Sequence, residues 1–238
     1  MIEIIPAIMP DSYDDLSEKA SSVLGVVPLA QIDVMDGIFV KSKSWPYRKA
    51  GEADEPHFLV MAQQDETLPF FDEIDYEIDL MINEPEKHID EWLPLGASRL
   101  IFHIESIKDI ELFFAHDIWK PGARDIGGQK VIEVGFAINP DTPLEAIEPY
   151  MTQIDFVQCM GIAKIGYQGE PFDERVLDQL NTLRVAYPNT PLSVDGGVSF
   201  ETAPLLKAAG ATRLVSGSAI FGSDDISEAV EEFKQVTA

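Results

Sequence analysis

The chain has 238 residues, enough for a full hydrophobic core and close to the size of one α/β barrel. Hydrophobic residues make up 45% and charged residues 25%, so it is neither disordered nor fibrous. Forty-two acids against 17 Lys and Arg give a net charge of −25, which argues against a nucleic-acid backbone or an anionic membrane as partner.

Short apolar runs alternate with amphipathic stretches along the chain. Strands are expected near 2–9, 29–36, 74–82, 99–105, 131–138, 154–161, 190–196 and 213–219. Helices are expected over 12–24, 84–95, 106–118, 143–151, 173–187, 201–209 and 224–235. In the last of these, Ile226, Ala229, Val230 and Phe233 fall on one helical face. Glycines close several segments, as at Gly25, Gly96 and Gly210. Eight strands alternating with helices predict parallel βα units. At this length they favour one closed (β/α)8 TIM barrel over residues 1–238. No strand is followed by G-x-G-x-x-G, which weakens a dinucleotide-binding sheet.

One connection is long, at about 37–73. It contains KSKSWPYRK, 41–49, with Lys41, Lys43, Arg48 and Lys49 and no acid. Long barrel loops are often lids, and charge runs are often only solvated. Both readings stand at this level. Cys159 is the sole cysteine and sits in an apolar strand. It excludes an intrachain disulfide, reads as a buried small hydrophobe and fits a reducing cytoplasm. The N-terminus lacks the basic start and apolar core of a secretion signal, and no run is long enough to span a membrane.

Barrel chemistry sits where the strands end. The second strand ends Gln31-Ile-Asp33-Val-Met35-Asp36-Gly37, and period-2 alternation puts Gln31, Asp33 and Met35 on one face. The third carries Asp79 and Met81 on one face, and the seventh ends Ser193-Val-Asp195-Gly196-Gly197. If these faces point inward, three carboxylates crowd one mouth and need a shared proton or a cation. Each aspartate alone could equally cap a turn. Gly196 and Gly197, then Gly217 and Ser218 on the next strand, match a barrel phosphate site built from backbone N–H groups. Tight turns are their simpler explanation.

The segments IIPAIM, QIDVMDGIFV, EIDLMINEPEKHID, GASRLIFHIES, GFAINPDTPLEAIEPY, IDFVQCM and SVDGGVSFETAPLLKAAGATRLVSGSAIFG occur in this order. In combination they resemble the ribulose-phosphate 3-epimerase family from first strand to last helix; only 41–64 and 119–130 look foreign. The resemblance implies interconversion of D-ribulose 5-phosphate and D-xylulose 5-phosphate, or of a related ketose phosphate. Asp33 and Asp195 would be the two catalytic aspartates, working from opposite faces of the sugar. It implies pocket roles for Met35, Met81 and Met160, phosphate contacts at Gly196, Gly197, Gly217 and Ser218, and a dimer or hexamer.

The departures are as informative. The family pattern has histidines at two metal-ligand positions, and here Gln31 and Asp79 stand there, with Asp33 and Asp195 completing the set. The serine usual on the first strand is Ala7, and the glycine-rich loop after the sixth strand reads GIAKIGYQGEPF, with Gly166 and Gly169 as its phosphate candidates. GGQK at 127–130 precedes the fifth strand and is treated as a decoy. Oxygen-only ligands favour Mg²⁺, Mn²⁺ or Ca²⁺ over Zn²⁺; the other outcome is a site without metal. Lys164 or a lysine of 41–49 is then the candidate electrostatic substitute. His103 is favoured as a histidine of the wall. The competing expectation is a barrel that binds a sugar phosphate without turnover, as sensor or scaffold. A sugar-phosphate decarboxylase ranks last, because Asp33-Val-Met35-Asp36 lacks the lysine of an Asp-x-Lys-x-x-Asp strand end.

Overall fold

The computed structural model describes residues 2–64 and 66–238. Eight strands form the barrel: β1 (Glu3–Ile8), β2 (Leu29–Met35), β3 (Asp75–Met81), β4 (Ala97–His103), β5 (Glu133–Ile138), β6 (Phe156–Met160), β7 (Leu192–Asp195) and β8 (Arg213–Ser216). They close in the order β1-β8-β7-β6-β5-β4-β3-β2, with every neighbouring pair parallel. The fold is a TIM barrel, as the strand count predicted.

The strands are apolar on both faces because both faces are covered. One face packs against the helices, in a large cluster that includes Ile32, Ile78, Phe102, Val157 and Val194. Inside, Ile5, Ala7, Leu29 and Val215 form one small cluster, and Ile101, Ala137 and Phe156 another. Inward charges cap the strand starts. Arg99 bonds Glu77 at 3.1 Å and Glu3 at 3.2 Å and lies 3.1 Å from Glu133, while Arg213 lies 2.8 Å from Glu133 and 3.2 Å from Glu3. Register carries the opposite end of the barrel. Asp33 pairs with Asp79, Gln158 with Ser193, and Met160 with Asp195.

The helices are α1 (Tyr13–Val23), α2 (Pro56–Gln64), α3 (Ile89–Trp92), α4 (Ile110–Ala115), α5 (Arg175–Ala186), α6 (Ala203–Ala209), α7 (Ser218–Phe221) and α8 (Ile226–Val236). Ser12 and Asp225 start α1 and α8 by accepting the N–H groups of Asp15 and Glu228. Three expected helices shrink. Residues 143–151 make two 3-10 turns, because Pro149 offers no N–H and obstructs a longer helix. The 84–95 stretch divides into the 3-10 turn Pro85–Lys87 and α3, which stops before Pro94, and 106–118 keeps only α4 and the 3-10 turn Asp117–Trp119. The expected strand over 213–219 ends at Ser216, and Ser218 opens α7 instead.

Helix α2 lies inside the long 37–73 connection. There Ser44, Trp45, Pro46 and Tyr47 are buried while Lys41, Lys43, Arg48 and Lys49 are exposed. Trp45 packs against Tyr13, Phe58 and Trp92, so the apolar middle of the basic run anchors the connection. Asp36 closes the turn after β2 by accepting the N–H groups of Ile38, Phe39 and Asn83. GGQK supplies a hairpin turn, with Ile126 opposite Gln129 and both Gly127 and Gly128 at positive φ.

Candidate functional site

A cavity opens at the C-terminal ends of the strands, lined by Asp33, Met81, Met160, Asp195 and the loops after β6, β7 and β8. Gly196, Gly197, Gly217 and Ser218 lie on its wall, as do Gly166 and Gly169. Gly196 and Gly197 adopt φ of +85° and +66°, where a side chain is strained. A Cβ on Gly197 would also fall 2.9 Å from the Gly161 carbonyl, so the β6 and β7 loops can only meet this closely across glycine.

Two aspartates reach the cavity from β2 and β7, with β1 and β8 between them. The buried Gln31 side chain joins them: its Nε2 donates to Asp33 Oδ1 at 2.8 Å and to Asp195 Oδ2 at 2.9 Å. Burial raises Asp33 well above the usual carboxylate range, and the charges of Asp195 and Asp79 push the same way. Burial, then Asp79, raises Asp195 to about 7, against the pull of the Gln31 amide. Asp79 completes the group, for one carboxylate oxygen of each aspartate lies within 4.8 Å of the others.

Asp79 is fully buried behind the cavity and is held by neighbours on two sides. Its Oδ2 accepts from Gln158 Nε2 at 3.2 Å, and its Oδ1 lies 3.2 Å from His103 Nε2. His103 in turn sits 3.7 Å from Glu105, whose Oε1 accepts the Asn139 N–H at 2.8 Å and the Thr142 hydroxyl. Burial would lower the His103 imidazole, but the Asp79 and Glu105 carboxylates override it and raise it to about 10. His103 thus sits in the barrel wall, off the cavity lining, as an imidazolium in contact with Asp79 of the aspartate group.

Other candidates fall elsewhere. Met35 is fully buried in an apolar cluster with Val40 and Met81, off the cavity wall, with Phe39 and Ile165 packed on it. Gly166 closes over that cluster: a Cβ there would meet Val40 at 3.1 Å and the Met35 sulfur at 3.3 Å. Lys164 projects outward, with its Nζ 3.9 Å above the Tyr167 ring and 4.0 Å from Glu170. No lysine or arginine of 41–49 lines the cavity. Cys159 is buried in the core, and burial pushes its thiol up to about 12, so it is inert.

Sequence reasoning missed Gln158, Ser193, Ser44 and the loop residues Gln168 and Glu170. Alternation along β6 puts Gln158 on the Met160 face, and the same alternation puts Ser193 with Asp195, so the signal was present. Ser44 carried none. Its hydroxyl donates to the Asp33 carbonyl at 2.7 Å and accepts the Met35 N–H at 2.9 Å, which pins the end of β2.

The family model described as "Ribulose-phosphate 3 epimerase family" matches residues 55–221. A ribulose-phosphate 3-epimerase of Bacillus subtilis is 27% identical over 240 residues, covering 98% of this chain and 99% of that protein. One from Methanocaldococcus jannaschii is 30% identical over 241 residues, covering 99% and 91%. Among solved structures, KGPDC from Streptococcus mutans superposes with a TM-score of 0.67 at 16% identity, over 99% and 97% of the two chains. The 3-hexulose-6-phosphate synthase from Salmonella typhimurium gives 0.62 at 15% identity, over 99% and 98%. These structural likenesses concern the fold, while the sequence matches reach further. The chain belongs to the ribulose-phosphate 3-epimerase family.

Proposed function

We propose that this chain interconverts D-ribulose 5-phosphate and D-xylulose 5-phosphate, or a closely related ketose phosphate, by removing and returning the proton at C3. The observation that carries the reading is the pair Asp33 and Asp195, facing one cavity and bridged by the Gln31 amide at 2.8 and 2.9 Å. Epimerisation needs an ionised carboxylate on one face of the carbon and a protonated one on the other. Two carboxyls with raised proton affinity suit that division near neutral pH, because one can hold the proton the other lacks. The cradle of Gly196, Gly197, Gly217 and Ser218 would hold the phosphate through backbone N–H groups, and Met81 and Met160 would pack on the sugar.

The family resemblance implies a divalent metal, and the residues fit one. Three carboxylates with a single imidazolium leave buried negative charge, and Gln31 Oε1 is buried without a hydrogen-bond partner. Asp33, Asp79 and Asp195 would hold the ion. Gln31 would join through Oε1 after a half-turn of its amide, which now aims nitrogen at two of the carboxylates. The all-oxygen set favours Mg²⁺ or Mn²⁺ over Zn²⁺. When bound, such an ion would act as a Lewis acid toward negative charge developing on the substrate oxygen.

A second reading, a sugar-phosphate binder without turnover, is favoured by the replaced histidines, since Gln31 and Asp79 stand at two ligand positions of the family pattern. One experiment separates them: deuterium incorporation at C3 of D-ribulose 5-phosphate in D₂O, followed by NMR, first with chelator and then with Mg²⁺, Mn²⁺ or Zn²⁺. Exchange is expected. Asp33→Asn and Asp195→Asn should each lower it by a factor of about 100–10,000, the usual worth of a positioned acid or base. Bound substrate with no exchange under any metal sinks the epimerase reading in favour of the binder.

A further inference from the structure

Asp79 is the member of the aspartate group that does not reach the cavity wall, so its geometry must be imposed from behind. A carboxylate only accepts hydrogen bonds, so the Gln158 amide can face it only with its NH2 group. That orientation turns Gln158 Oε1 the other way, into a buried position where it needs a donor. Ser193 supplies it, its hydroxyl lying 3.2 Å from Gln158 Oε1. Donation thus runs one way, from Ser193 to Gln158 to Asp79, through side chains that are all essentially inaccessible to solvent. The register pairing of Ser193 with Gln158 brings the first two together on adjacent strands. Ser193 also stands two residues before Asp195 on the same strand, so the chain ties Asp79 to the strand that carries the second catalytic candidate.

We infer that Gln158 and Ser193 are positioning residues for the proton-transfer site. Ser193 fixes the Gln158 amide, and that amide, opposite His103, fixes the Asp79 carboxylate against Asp33 and Asp195. The inference rests on the epimerase reading. Neither residue lines the cavity, so neither touches substrate, and their removal should act on turnover while leaving substrate affinity alone.

The test compares steady-state C3 exchange on D-ribulose 5-phosphate for the native chain, Gln158→Met, Gln158→Glu and Ser193→Ala, with thermal melts to establish folding. Gln158→Met keeps much of the volume and loses the donor. Its kcat should fall about 10- to 100-fold, the usual cost of losing a supporting hydrogen bond behind such a site, with KM within about twofold of native. Ser193→Ala should fall in the same direction by less. Gln158→Glu keeps the length of the side chain but sets an acceptor against Asp79, so its kcat should fall at least as far as that of Gln158→Met. A filling role in the barrel would show in the melts and would not lower kcat while leaving KM alone. If Gln158→Met does not fold, Gln158→Glu and Ser193→Ala carry the test. Native exchange with folded variants of unchanged kcat overturns this inference and leaves the epimerase reading intact, as does a loss expressed wholly in KM. A native chain that binds substrate without exchange overturns both.

Discussion

Gln31 places one amide group between two carboxylates, while the His103 imidazolium acts on Asp195 only from behind Asp79. An acid held above its ordinary range in the fold binds its proton more tightly folded than unfolded. It contributes stability below its unfolded value near 3.8, and that contribution is lost as pH rises through the folded value, about 7 for Asp195. Metal-free protein should therefore lose stability between about pH 4 and pH 8. Asp195→Asn should flatten that slope and raise the Tm at about pH 8, since relief on the order of 1–4 kcal/mol is worth about 2–4 °C per kcal/mol in a chain of this size. A thermal melt series over pH in chelator checks this; a Tm for Asp195→Asn at or below native at pH 8 contradicts it. The aspartates were legible in the sequence because strand alternation puts each on one face, with Gly37 and Gly196 marking the strand ends of Asp33 and Asp195. Alternation put Gln158 and Ser193 on the inward face as well, but a neutral side chain in a buried strand resembles filler until the β6–β7 register sets its partner opposite. The wall position of His103 was legible too, but its partner Asp79 came only with the register of the directly paired β3 and β4.

At the scale of elements, strands were easier to foresee than helices. Parallel strands buried on both faces give apolar runs bounded by glycine and polar residues, and all eight were visible. Helices 84–95, 106–118 and 143–151 were overdrawn, because apolar spacing persists through 3-10 turns that satisfy it as well. Helix α2 was missed because its apolar residues run consecutively, Phe58 and Met61 facing inward while Leu59 and Val60 are exposed. The buried segment before it has a clear task. Ser44 occupies both the Asp33 carbonyl and the Met35 N–H, so the connection is a buttress for the end of β2. Ser44→Ala leaves two buried backbone groups unpaired, at about 1–3 kcal/mol. The Tm should fall by about 2–12 °C. A melt indistinguishable from native would show that Trp45 packing and the Ser44 N–H bond to the Met35 carbonyl hold β2 without the hydroxyl.

Across the whole molecule, charge divides into two populations that respond to different variables. The net −25 is spread mainly over exposed acids, whose mutual repulsion opposes compaction and is screened by salt. The strand-start cluster of Glu3, Glu77, Arg99, Glu133 and Arg213 is mostly enclosed, and salt reaches it poorly. With three carboxylates against two guanidiniums, that cluster carries one acid in excess. Burial raises Glu77 to about 7 although Arg99 pulls it down, so Glu77 is the group that feels the excess. As a raised acid it supports folding below its unfolded value near 4.5 and loses that support as pH climbs through about 7. The two populations should separate in one set of melts. Raising NaCl from about 10 mM to about 1 M shortens the screening length from about 30 Å to about 3 Å and should raise the Tm of native protein and Glu77→Gln alike. Raising pH from about 5.5 to about 8 at fixed salt should lower the native Tm more than that of Glu77→Gln. Equal pH slopes would mean that Arg99 and Arg213 compensate Glu77 fully, and a Tm indifferent to salt would mean that the surface acids repel too weakly to matter.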